Sequence, residues 1–488
     1  MKRRHVLGAF GISALGATSL GGLALGFPRG QTGEPVRSFR LPRPYAAPLP
    51  VPPVARPVRT DATTDYYEVV QREADLEILP GVRTRVFGYD GRFPGPTLVT
   101  RSGRPAVVTH RNELAVPVAV HLHGGHTPAD SDGFPTDLIQ PAGRRDYTYP
   151  MRQSAATLWY HDHRMDFTGP QVYRGLAGFH LVTDDQQEAL GLPAGDRDIP
   201  LMITDRSFNE DGSFNYPAHH HAAGVTDEFM EGVLGDVVLV NGAPWPVLEV
   251  VAARYRLRLL NASSARRYRL SLDPPRTPLV QIGSDVGLLE RPIEQTSVLL
   301  APGERSEIVV DFAAFPAGTE VTMRNGLGSG STGAVMRFRV TGRSGDDSRI
   351  PPLLRRIEPL RRDQAVRTRT WRFRRAPTGE HPGWLVDGRA FDPDRIDAEV
   401  RLGEIEVWRF VSDLHHPVHV HLDPFQVLAR RGGDPGPYDA GWKDTVDLAP
   451  SESVDVAVRF TDYPGRYLLH CHNFEHEDMA MMAAFRTR

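Results

Sequence analysis

Four His-x-His tripeptides stand in this chain: His121-Leu122-His123, His161-Asp162-His163, His419-Val420-His421 and His470-Cys471-His472. On a β-strand successive side chains point to opposite faces, so each tripeptide throws two imidazoles to one side. Four such strands brought together offer eight imidazoles to one pocket, a donor set for metal ions. A single tripeptide of this kind is weak evidence, because a half-buried strand can carry two satisfied histidines. Four of them, one enclosing the only cysteine of the chain, are not explained by packing. Cys471 must point away from its flanking histidines and so faces a second site. Two metal centres joined through one tripeptide make an arrangement for moving electrons.

The second site can be read from what surrounds the cysteine. A thiolate, two imidazoles and a weak axial thioether make a type 1, blue-copper electron-transfer centre. Cys471 supplies the thiolate, and His416 and His476 are the candidate imidazoles, one shortly before the third tripeptide and one shortly after the cysteine. Met481 is the candidate thioether, with Met479 and Met482 as local competitors. Structural zinc is the rival metal, but four ligands satisfy it and the surplus of donors would have no purpose.

The elements that must position these residues are short. From Thr64 onward, apolar runs such as Ala106–His110, Val116–His123 and Ala177–Val182 alternate with Gly, Pro and Asp turns, the spacing of all-β sandwiches or barrels. A chain of 488 residues accommodates about three domains. The expected boundaries are 60–184, 195–342 and 366–488, with a Pro/Arg-rich linker or arm over 31–59 and a second linker before the third domain. All four tripeptides fall in the first and third segments. Those two must therefore pack together to build the centre, with the middle segment as spacer. Asp162 points away from its flanking histidines and is read as structural. His219-His220-His221 reads as a solvated loop, His126 and His415 are left unassigned, and His110, His180 and His381 read as ordinary strand or surface residues.

Composition narrows the class. A net charge of −3 gives no basic field for nucleic acid. Lys2 and Lys443 are the only lysines among 57 basic side chains, and the single cysteine leaves no internal disulfide. Residues 1–30 open with Met1-Lys2-Arg3-Arg4 and continue in a weakly hydrophobic Gly/Ala-rich run, which reads as an export signal of the twin-arginine type. The expected localisation is therefore exported, secreted or periplasmic. No stable membrane span is expected in the mature chain.

His121-Leu-His-Gly124, Trp159-Tyr-His-Asp-His163, His416-Pro-Val-His-Val-His421 and the run from His470 through His476 to Met481 resemble, in order, the four copper signatures of the three-domain multicopper oxidases. The stretches Gly124–Gly133, Leu239–Pro246 and Glu475–Met482 are similar to the branch of bacterial spore-coat laccases, bilirubin oxidases and phenoxazinone synthases. The resemblance implies three cupredoxin-like Greek-key β-barrel domains and four copper ions, one type 1, one type 2 and a type 3 pair. It assigns His121 and His419 to type 2 copper, and His123, His161, His163, His421, His470 and His472 to the type 3 pair. His416, Cys471, His476 and Met481 match the type 1 ligands. It further implies that electrons from a phenol or aromatic amine enter at His476, leave through Cys471 and reduce dioxygen to water. Glu477 and Asp132 match acids that serve proton delivery or fix imidazole tautomers. Bilirubin oxidase or o-aminophenol oxidase activity stays open as an alternative. A cuprous-ion oxidase is disfavoured because only Met479, Met481 and Met482 bunch together. A copper-free structural protein of the same fold is disfavoured because all twelve ligand positions are filled.

Overall fold

Ala106–Asn112 alternates buried and half-buried side chains residue by residue, as a strand with one face on a core must. Val237–Val240 is apolar and buried throughout, the pattern of a strand covered on both faces. The structure is a computed structural model that describes residues 41–216, 232–378 and 381–488. The expected export signal, the beginning of the arm and His219-His220-His221 lie outside the described residues.

The chain is all-β, and its sheets fall into three consecutive segments. In the first, a five-stranded sheet centred on Asp65–Leu76 faces a four-stranded sheet ordered Leu98–Arg101, Ala177–Thr183, Ala156–Asp162, Val120–His123. Val69, Val108, Leu122, Tyr147 and Leu158 fill the space between them. The middle segment pairs a seven-stranded with a five-stranded sheet over Leu257, Leu259, Ile308, Val310 and Phe338. The third pairs two five-stranded sheets over Phe410, Val418, Phe425, Val456 and Phe485.

One topological device recurs in all three. An opening strand pairs in parallel with a later one: Asp65–Leu76 with Ala106–Asn112, Asp198–Arg206 with Arg254–Asn261, and Arg367–Thr378 with Ile405–Ser412. A second parallel pair follows in each: Leu98–Arg101 with Ala177–Thr183, Val247–Ala252 with Ala334–Arg343, and Ala398–Val400 with Met482–Thr487. Parallel neighbours cannot be joined by a tight hairpin, so each segment must wind its chain across the sheets.

Two connections are pinned to these units. The Leu49 N–H donates to Val247 O and the Val247 N–H to Ala47 O, both at 2.8 Å. The Ala55 and Thr97 N–H groups donate to Thr97 O and Pro53 O, also at 2.8 Å. The Pro-rich stretch is thus an arm held by isolated parallel bridges of Pro48 to Val247 and Val54 to Thr97, an arrangement that tolerates prolines lacking an N–H. Leu354 and Leu360 are buried in the segment before the third unit. One expectation differs: strand structure begins at Val120 rather than Val116. Pro117 has no N–H to give a ladder, and Val118 makes only an isolated bridge to Ile139.

Candidate metal centre

The first-segment strands Val120–His123 and Ala156–Asp162 pair so that His121 lies opposite His161. In the third segment His416–Val420 and Gly465–Cys471 pair with His419 opposite His470. His163, His421 and His472 stand just beyond their strand ends. The two ligand pairs meet face to face. The rings of His121 and His421 stack at 3.9 Å and those of His123 and His419 at 3.7 Å. The Nε2 atoms of His121 and His419 are 3.4 Å apart, those of His421 and His470 3.2 Å, and His472 Nε2 lies 3.2 Å from His123 Nδ1. Three donor groups result: His121 with His419 and His421; His123 with His161 and His472; His163 with His421 and His470.

The other ring nitrogens decide whether these residues suit a metal. The His121 Nδ1–H donates to Asp132 O at 2.6 Å, that of His161 to Asp162 O at 2.8 Å and that of His419 to Asp444 O at 2.9 Å. His421 Nδ1 meets Asp132 Oδ2 at 2.8 Å, and His163 and His470 Nδ1 face the two oxygens of Glu477 at 3.3 and 3.1 Å. His123 is held through Nε2 instead, 3.1 Å from Asp444 Oδ1, which leaves its Nδ1 turned inward. Backbone carbonyls and carboxylates therefore fix the tautomers from outside while bare nitrogens converge inside, the arrangement that metal-binding histidines use. His161 Nε2 and His163 Nε2 are buried with no hydrogen-bond partner. Burial pushes His161 down to about 3 and His163 to about 4, so both imidazoles are neutral and able to ligate. The residues fit metal ions.

On the far side of the Cys471 strand, Sγ lies 3.5 Å from Nδ1 of both His416 and His476, and those two nitrogens are 3.3 Å apart. His476 rides on the short helix Phe474–Asp478, capped by the Asn473 side chain accepting from the Glu475 N–H. Its ring stacks on Trp384 at 3.7 Å, and His416 Nε2–H donates to Asp413 Oδ1 at 2.9 Å. Strand register sets one methionine apart. Met482 lies opposite His470 and so shares the histidine face, whereas Met481 packs in the same core cluster as Cys471. The Cys471 N–H donates to Met481 O and the Met481 N–H to His476 O, which ties the loop to the site. Burial pushes the Cys471 thiol up, so a thiolate here requires a cation beside it.

Two acids read from the sequence flank the histidine centre. Burial pushes Asp132 well above the usual carboxylate range. Burial also opposes charge on Glu477, but His163 and His470 beside it hold it well below that range. Thr168 Oγ1–H donates to Glu477 Oε1 at 2.5 Å. Asp162 accepts from the Ala119 and Arg164 N–H groups and from Gln171, a structural role as read. His126 sits 3.0 Å from Asp423, away from the centre. His110 and His180 are buried core residues bonded to Gln71 and Thr100.

The middle segment is more than a spacer, which corrects the expectation. Its fully buried Arg305 grips Asp444 through two nitrogens and also donates to Gly303 O, Thr157 O and Asp285 O. Burial opposes charge on Asp444, and Arg305 with His123 holds it well below the usual range. The chain's other lysine, Lys443, is buried against Asp285 and Glu304 at 3.0 and 3.1 Å. Gly303, at φ +87°, packs against the ligands: a Cβ there would lie 3.0 Å from His472 ring atoms and 3.2 Å from His123 Cε1. Gly303→Ala is expected to cost at least about tenfold in metal affinity at the histidine centre, read by elemental analysis, while the Cys471 site keeps its metal. Asp444, Arg305, Gly303 and Asp413 had no signal in the sequence, because none lies within a recurring spacing.

Two family models, each described as "Multicopper oxidase", match residues 71–187 and 358–488 respectively. The chain is 36% identical to a laccase of Bacillus subtilis, over 89% of this chain and 96% of that protein. It is 37% identical to a bilirubin oxidase of Albifimbria verrucaria, over 91% and 81%. The solved structure of a laccase from Pediococcus acidilactici superposes with a TM-score of 0.84 at 31% identity, covering 93% of this chain and 96% of that one. Among the described residues no helix is long and apolar enough to cross a membrane.

Proposed function

This chain belongs to the multicopper oxidase family, in its laccase branch, and is an oxidoreductase; from that premise we propose that it couples one-electron oxidation of phenols or aromatic amines to four-electron reduction of dioxygen to water. The observation that carries the reading is the pair of donor sets back to back on one tripeptide, eight imidazoles on one face of His470-Cys471-His472 and the thiol on the other. His416, Cys471, His476 and Met481 would hold a type 1 copper. His121 and His419 would hold the type 2 ion, and His123, His161, His163, His421, His470 and His472 the type 3 pair. Bound copper supplies the redox chemistry: single-electron acceptance from the donor and multi-electron delivery to dioxygen.

The protein supplies path, geometry and protons. Cys471 is covalently continuous with His470 and His472, so the two sites are joined through bonds rather than through space. His476 lines a cleft of about 690 Å³ that also presents Leu299, Leu327 and Leu414, which suits an aromatic donor. Glu477 lies between His163 and His470 with the Thr168 hydroxyl donating to it, a position from which it can pass protons to the centre. Asp132 bonds His121 and His421 from the opposite side. We place the protein outside the cytoplasm, on the strength of Arg3-Arg4 and the run that follows.

The test is the visible spectrum, copper content and oxygen uptake of the copper-loaded protein with a simple phenol. Intense blue absorption, about four coppers per chain and oxygen consumption support the reading. A protein that takes up no copper sinks it and favours the structural alternative. Glu477→Gln is expected to slow oxygen uptake by about ten- to a hundredfold with the blue band retained. If only the KM for the phenol moves, Glu477 has no part in proton delivery.

A further inference from the structure

The cleft beside His476 carries a charge pattern that an aromatic ring alone does not use. Its lining includes Arg266, Arg267, Arg269 and Arg430 against Glu304, Asp439, Asp447 and Glu452. The acids are consumed. Asp447 is bound by Arg267 at 2.8 Å, Asp439 by Arg430 at 2.6 Å, Glu452 by Arg430 at 3.2 Å and Arg431 at 3.7 Å, and Glu304 by Lys443 at 3.1 Å. Arg266 is buried on Asp205 at 2.7 Å. Arg269 is different: it is exposed and makes no ion pair among the described residues.

Its place in the fold orders the cleft from floor to rim. Asp447 lies opposite Pro417, the residue after His416, so the Arg267–Asp447 pair sits close to the Cys471 site. Arg269 follows two residues later on the strand Tyr268–Asp273, about 7 Å further along the chain. It stands beside Leu299 of the neighbouring strand. A ring resting on His476 and the leucine walls would thus direct its far substituent toward an unneutralised guanidinium.

We propose that this cleft selects phenols bearing an anionic substituent, such as a carboxylate opposite the hydroxyl, and that Arg269 is the residue that reads it. This rests on the oxidase function proposed above. Arg269 sets specificity and takes no part in the electron transfer. Because it is exposed, its effect is modest and falls with ionic strength as the charges are screened.

The test uses the copper-loaded full chain and the Arg269→Glu variant, with para-hydroxycinnamate and its methyl ester as substrates. In parallel, calorimetry compares binding of the non-oxidisable para-methoxycinnamate with that of its methyl ester. In the native protein the acid is expected to exceed the ester by about fivefold in kcat/KM and in affinity at low salt. Arg269→Glu is expected to bring both ratios below one, and salt to bring both toward one. A ratio that Arg269→Glu leaves unchanged, or a native preference for the ester, overturns the proposal and makes Arg269 an ordinary solvated side chain. If neither phenol drives oxygen uptake the oxidase reading falls, and the calorimetric ratio alone decides on the anion site.

Discussion

Cys471→Ser is expected to give a folded, colourless protein whose oxygen uptake with phenols falls by more than about a hundredfold, the upper end for loss of a mere supporting group around a metal. The serine is close in size to the cysteine and enters the same fully buried position, so the sheet pairing of Gly465–Cys471 with His416–Val420 should survive. What disappears is the thiolate and, with it, the ligand atom that links the His476 side to the histidine centre. The measurement is visible absorption, copper per chain and oxygen uptake on one preparation. Copper in the histidine centre should remain, since none of its eight imidazoles is touched. Retained turnover with a phenol would show that electrons reach the centre by another route.

Arg305→Met should act on the opposite partner of the pair. Arg305 makes its hydrogen bonds from a fully buried position and is the cation that keeps Asp444 ionised. Removing one member of a buried ion pair costs about 3–5 kcal/mol when the other stays charged. Asp444 would take up a proton instead, and with it lose its grip on the His123 Nε2–H. We expect about ten- to a hundredfold weaker copper binding at the histidine centre, seen as fewer coppers per chain, with the blue band intact. Asp444→Asn, which keeps the shape and removes the charge, should reproduce the metal loss with a fall in thermal stability at least as large, because the buried Arg305 cannot give up its charge. Unchanged copper content in both variants would reduce the Arg305–Asp444 pair to a packing role.

The converging histidines were legible because a period of two is a local property, visible within three residues. The supporting groups were not, since His123 and Asp444 are separated by 321 residues and Arg305 and Asp444 by 139. Only the meeting of three sheet units makes them neighbours. Among the three methionines of this loop spacing favoured Met481, and the pairing of Met482 with His470 sets Met482 apart on the histidine face. The threefold architecture is written in paired parallel strands rather than in repeated residues, because many apolar sequences can fill the same core positions. Pro117 shortened an expected strand for a reason the sequence already held, the missing N–H.

The division of the eight imidazoles, four from each of two distant stretches of chain, has a consequence for biogenesis. While the polypeptide is being made, the early strands hold at most two donors of any one group, so none of the three groups is complete. The full set exists only once Gly465–Cys471 has emerged and found its place beside His416–Val420. A complete donor group therefore reports finished synthesis and correct long-range assembly together. A copy that lacks those last strands would lack every complete histidine group.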